Sequence, residues 1–433
     1  MRTFGNLLAF SPELWLLVGA IVVFLVARLR PGASTTMVAL VTLVAAFLAL
    51  ATQFKQTIAI LDGAFLLDGF AIVIDVIVLA AALLTLLASR ADILPGDGQA
   101  EAAPGFLLLA TLGAMLAASA AEMVSLFLAL VFGLTGETRL GATGVAMAAL
   151  GPNHPAVLLS LSLILGGFAL RMGLLPVRWW PRGFESGVPL RVIMFVQSVG
   201  VVVAFAAFAR LAASTFAGSR VPYAAVFAGI AAIAMTAGNL LAVMQAGVRR
   251  LLVYAAIAQA GFALAAFTDL KGLGLSALLV FLVSLALGNI CAFATVIAYA
   301  RFVHSDAIRD LAGMSRAAPG LALALAVAVV SLIGLPPVAG FFGKVLVLQA
   351  VVNGGYAWLA VVGAVNIAVA AFGYLRLLKI AFVDPPVFEV APARLDRGIQ
   401  VAVALASVGV VSMGLLLGPL YAAASYGRAA LLH

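Results

Sequence analysis

Polar residues punctuate this chain only at long intervals. Between them lie apolar runs at about 12–28, 36–53, 69–88, 105–120, 155–177, 192–213, 224–246, 250–268, 273–300, 318–352, 356–382 and 398–422. Most approach or exceed the ~20 residues an α-helix needs to cross about 30 Å of hydrocarbon. None alternates in the ten-residue segments of a barrel strand, so the pattern predicts spanning helices. The run 123–134 is shorter. At about 1.5 Å per residue it covers only about 18 Å, and we expect it to enter and re-emerge on one side. The predicted fold is an all-α polytopic membrane protein with about twelve full crossings and that one short or re-entrant segment. We divide it into N-terminal helices (1–104), a first repeat (105–222), a second repeat (223–382) and a C-terminal loop with a last helix (383–433).

One run is interrupted. Residues 331–344 read SLIGLPPVAGFFGK, inside an apolar stretch too long for a single crossing. Pro336 and Pro337 remove two backbone donors and clash with the preceding turn, so a break is expected between Gly334 and Gly340. Lys344 follows, an ammonium where charge is expensive. A broken helix carrying a cation is how transporters build ion sites near the membrane midplane. The plainer reading is a proline kink with a lysine reaching the interface, but Lys344 lies far from both ends of the run. The pentapeptide Gly173-Leu174-Leu175-Pro176-Val177 echoes Gly334-Leu335-Pro336-Pro337-Val338. Pro176 thus marks a candidate second break, as in transporters built from two inverted repeats.

Composition narrows the class. Of 433 residues, 65% are hydrophobic and 9% charged, which excludes a soluble globular protein. The net charge of +8 is scattered singly through short connections, so it reads as topology rather than a nucleic-acid surface. With twelve crossings, 15 Lys and Arg fall on the side of the 28–36 loop, 7 on the other and 2 (Arg171 and Lys344) within the membrane, accounting for all 24. That places both termini outside the cytoplasm. Cys291 is the single cysteine, so neither a disulfide nor a thiolate-held cluster can form within the chain. No small-residue cleavage site precedes Arg28, so the first run reads as a helix, not a signal. Asp75 is an acid within the run 69–88. Asn239, Asn289, Asn366 and Gln197 read as hydrogen-bonding partners between helices.

Four stretches resemble a known family, the antiporter-like membrane subunits of respiratory complex I, and its subunit N branch above all. They are 331–352; Gly238-Asn239-Leu240-Leu241-Ala242 with the segment 249–261, similar to the family's GNLLA and KRLLAYSSIAHAG; Asp310-Leu311-Ala312-Gly313; and 167–192, with Pro176, Trp180, Gly187 and Pro189 in family spacing. Asp68-Gly69-Phe70 adds a weaker match. The departures are specific. The family's buried glutamate falls at Val131, and Glu122 lies too early to replace it. Its lysine before Pro176 corresponds to Arg171, no lysine occurs near Gly200 or Val201, and Gln259 replaces its histidine. Lys344 alone is retained.

The resemblance implies a subunit that moves protons, driven by NADH–quinone electron transfer elsewhere in a bacterial inner-membrane complex. NADH, FMN, iron–sulfur clusters and quinone are then expected in partner subunits, with no cofactor or metal held here. Small-residue faces such as 363–371 are expected to bind those partners. A relay needs groups whose proton affinity burial can tune, which lysine allows and arginine does not. Gln259 can order water but cannot take a proton at neutral pH. The proton-pathway candidates are therefore Lys344, Arg171 as a fixed cation, Gln259 and Asp75, the last a conceivable partner of Arg171. A non-conducting structural subunit of the same arm, a sodium/proton antiporter and a membrane-bound hydrogenase subunit stay open.

Overall fold

A computed structural model supplies the architecture and describes residues 11–29, 34–53, 58–60, 65–89, 98–119, 168, 172, 174, 190–215, 223–303, 305–386 and 397–432. The helices are α1 (Ser11–Leu29), α2 (Thr35–Ala51), α3 (Gly69–Ser89) and α4 (Gly98–Ser119). Next comes α5, built from Leu190–Phe195, a π turn Val196–Gly200 and Val201–Thr215, and then α6 (Tyr223–Val243). Helix α7 joins Val248–Ala265 to a 3₁₀ turn Ala266–Asp269, and α8 is Gly274–Val303. The one-turn α9 (Met314–Ala317) leads into α10 (Pro319–Ile333), α11 (Ala339–Asn353), α12 (Ala357–Phe382), α13 (Arg397–Leu415) and α14 (Leu417–Leu432). Among the described residues nine helices are long and apolar enough to cross a membrane; α2, α10 and α11 are apolar but shorter. The polytopic helical class follows. An antiparallel hairpin of β1 (Ile58–Ile60) and β2 (Phe65–Leu67), with Ile58 opposite Leu67, is an addition the apolar runs did not predict. The segment 123–134 lies outside the described residues.

Helices α7 and α8 form the centre. Their apolar spans are 94% and 89% buried within the chain, against 33% for the peripheral α1 and α12. Both are apolar all round because neighbours cover every face. Small residues bring the backbones together: Gly238 of α6 faces the backbone of Tyr254 and Ala258, and Gly261 of α7 faces that of Ala231 and Met235. A methyl group at either position would wedge the pair apart. Asn239, Asn289 and Asn366 bridge helices as expected, while the Gln197 side chain makes no hydrogen bond among the described residues. Asn239 donates to the backbone and side-chain oxygens of Asn366 (3.1 and 3.2 Å), and Asn366 donates to Thr236 (3.1 Å). Asn289 donates to the Gln197 carbonyl within the π turn (3.0 Å), a turn in which the regular ladder is displaced.

Two expectations need correction and a third is narrowed. The run 398–422 is two helices, because Pro419 would clash with the Leu415 carbonyl in a continuous one, and the chain breaks at Leu416. The small-residue strip 363–371 divides between two faces: Gly363 faces Leu348 and Phe262 and Ala370 is buried, whereas Ala364 and Ala368 stay exposed beside Val361 and Val365. Arg210, one of the seven basic residues counted above on the side opposite the 28–36 loop, is 5% exposed and paired with Asp68.

Candidate functional site

Helices α10 and α11 have 15 residues each, about 22 Å, and neither can cross about 30 Å alone. Together they run alongside α7. At one end, the turn before α10 is tied to the start of α7 by Val248 N–H to the Asp306 carbonyl (2.8 Å) and Ile308 N–H to that of Ala246 (2.9 Å). At the other end, Gly354 after α11 lies against the Thr268 carbonyl at the end of α7. Between these, Gln259 Nε2 donates to the Leu332 carbonyl at 2.8 Å. Gln259 is the twelfth of the 22 residues Val248–Asp269, so the break sits at half height.

The break itself is short. Gly334 caps α10 at φ 88°, a left-handed conformation that glycine takes without strain, and Val338 is extended before α11 begins. Pro336 and Pro337 face outward with Leu335. Having no N–H groups, the prolines leave fewer donors to satisfy on an apolar flank. Gly340, expected to lie in the break, is already in the first turn of α11. A Cβ there would meet the Ser331 carbonyl, so Gly340 lets the two half-helices touch.

A helix end leaves its last carbonyls without partners. Here Lys344, 2% exposed, supplies donors: Nζ lies 2.7 Å from the Leu332 carbonyl and 3.1 Å from that of Ile333. The ammonium also stands 4.6 Å from the centre of the Phe262 ring, within cation–π range. No carboxylate lies within ion-pair distance of it among the described residues. Two donors are engaged and a lysine has three. Gln259 shares the Leu332 carbonyl and lies near the buried Tyr374 of α12. Ser331 Oγ is buried without a partner among the described residues. The cluster thus joins Lys344 and Gln259 through a shared carbonyl, with an open donor and an open hydroxyl among the described residues, enclosed in an apolar bundle. Phe262, Tyr374 and Ser331 carry no sequence signal of their own, since each is an ordinary member of an apolar run.

Asp75 lies elsewhere. It is fully buried in α3, and neither carboxylate oxygen has a hydrogen-bond partner among the described residues. It feels the charges of Glu13, Arg210 and Asp68. Arg210 donates to Asp68 at 2.8 and 3.0 Å, to the Ala118 carbonyl at 2.6 Å and to that of Leu66 at 3.3 Å. Asp68 also caps α3 through Ala71 N–H at 2.8 Å. A second buried polar group therefore links α3 and α5, with the buried Glu13 of α1 close enough for its charge to act on Asp75; it includes Glu13 and Arg210, neither of which the sequence marked as buried partners. The signal was available, since both fall inside apolar runs. Arg171, Pro176, Glu122 and Val131 lie outside the described residues.

A multi-helix membrane bundle with a broken crossing and a lysine on its open carbonyls is a transporter-type architecture. Residues 98–370 match the family described as NADH:quinone oxidoreductase/Mrp antiporter, TM, and the chain belongs to it. A relative from Anaeromyxobacter sp., named NADH-quinone oxidoreductase subunit N, is 30% identical over 95% of this chain and 94% of its own. A protein of the same name from Chloroflexus aggregans is 37% identical over 71% of this chain and 64% of its own. Among solved structures, a chain of respiratory complex I from Thermus thermophilus with bound aureothin matches with TM-score 0.77 and 27% identity, over 95% of this chain and 98% of that one.

Proposed function

We propose that this chain is the subunit N component of the membrane arm of a complex I-type NADH–quinone oxidoreductase. It takes part in proton translocation through Lys344, and its partners are the other membrane subunits of that arm. The observation that carries the reading is the ammonium on the open carbonyls of a helix broken at half height. A proton reaching Lys344 is held against the Leu332 and Ile333 carbonyls, and the free donor passes it to water ordered by Gln259, Tyr374 and Ser331. Arg171 acts as a fixed cation, and Asp75 belongs to a separate polar group in the first helices. Redox chemistry, with flavin, iron–sulfur clusters and quinone, belongs to the partners. In this reading the chain makes twelve crossings as two inverted repeats in a bacterial inner membrane, with both termini outside the cytoplasm.

A second reading, a non-conducting structural subunit, draws on one feature: Lys344 has no carboxylate partner among the described residues. Proton uptake by vesicles carrying the assembled complex separates the two. For Lys344→Ala and the length-matched Lys344→Met, conduction predicts a several-fold fall in protons moved per NADH oxidised. An unchanged ratio in both variants, with normal assembly, refutes it.

A further inference from the structure

Along the flank of the bundle, α10 and α13 enclose an apolar groove of about 740 Å³, floored by residues such as Leu323, Ala324, Val327, Val403, Val408 and Val411. The two helices are parallel. Cys291 Sγ sits 3.4 Å from the Ala324 carbonyl and 3.3 Å from Ser407 Oγ, which levels those two positions. Further along, Gly414 abuts the Pro337 carbonyl at the break. The groove runs from Gln400 to Leu415 along α13, about 22 Å, which is longer than the ~15 Å of hydrocarbon in one leaflet. Its lining is almost wholly aliphatic along that length, which suits acyl chains.

One end is basic. Arg316 directly precedes the groove residue Ala317, and Arg397 lies one turn before Gln400 on α13. Both are exposed and have no ion-pair partner among the described residues. The N-terminus of α10 opens at the same end. Its cap residue Ala318 offers no side-chain bond, Pro319 has no N–H, and the first intrahelical bond is Ala322 N–H to the Ala318 carbonyl (3.0 Å). The amides of Gly320 and Leu321 are left for an anion, where the helix dipole favours one. Two guanidiniums and two amides at the mouth of a long apolar groove match one ligand class by charge and polarity.

We propose that this groove is a binding site for an anionic phospholipid, its phosphate held by Arg316, Arg397 and the α10 N-terminus and its acyl chains along α10 and α13. The test is native mass spectrometry of the full chain released from detergent with phosphatidylglycerol or phosphatidylcholine of the same acyl composition. Wild type should retain phosphatidylglycerol at least tenfold better. Arg316→Gln with Arg397→Gln should bring the two lipids to parity, while Arg316→Lys with Arg397→Lys keeps most of the preference. Ala404→Phe, which fills the groove, should reduce retention of both. Lack of preference in wild type, or preference surviving the double glutamine variant, overturns the proposal. So does displacement of the lipid by millimolar inorganic phosphate, which would identify a free-anion site. In the assembled complex, a Val408→Cys cross-link to a partner subunit with no lipid retained would assign the groove to that partner and overturn it as well.

Discussion

The buried pair Asp68–Arg210 yields a quantitative expectation. Arg210 makes four hydrogen bonds, two to the carboxylate and two to the Ala118 and Leu66 carbonyls, and so ties α5 to the end of α4 and the start of α3. The side chains are 5% and 1% exposed, so solvent screens the pair little. Arg210→Met leaves a carboxylate buried with, among the described residues, only the Ala71 N–H to hold it, and should cost about 3–5 kcal/mol. Asp68→Asn keeps an oxygen for the cap and one acceptor for the guanidinium, so about 2–3 kcal/mol is expected. In the double variant the stranded charge is gone. The combined loss should fall short of the sum by at least about 2 kcal/mol, the coupling of a desolvated pair. Denaturant titration of the four full-length forms in one detergent, followed by intrinsic fluorescence, gives that cycle. Additive losses, or a cost below about 1 kcal/mol for Arg210→Met, would mean that water reaches the pair and that the buried junction is misread.

Three further outcomes follow from the broken crossing. Lys344→Met should change stability by no more than about 2 kcal/mol, because two charge-assisted bonds of about 1.5–3 kcal/mol each are lost while an ammonium no longer has to be desolvated; a large loss in the same titration would make Lys344 chiefly structural. Gly340→Ala should cost about 1–3 kcal/mol, since its methyl meets the fixed Ser331 carbonyl, and should lower proton transfer by prising Leu332 from Lys344; wild-type values for both would show that the half-helices are not in contact. Gly334→Ala should cost about 1–2 kcal/mol for left-handed backbone, with Gly334→Asn milder, and equal melting of the two variants would contradict that conformation.

Spanning helices were legible in the sequence because a bilayer imposes one length and one polarity on each crossing, and the double proline announced its own break. Lys344 stood out for the same reason, as an ammonium inside an apolar run, and family likeness was carried by contiguous motifs around Gly238, Arg249 and Gly334. The tertiary structure alone decided what each charge meets. Leu332 and Ile333 supply carbonyls to Lys344 because α10 ends there, and Gln259 reaches the same oxygen from a helix 73 residues away in the chain. Arg210 looked interfacial because it lies near the end of its run; its partner Asp68 is 142 residues distant and reaches it only when α3 packs against α5. Hydropathy is a property of neighbours along the chain, whereas satisfying a buried charge depends on neighbours across it.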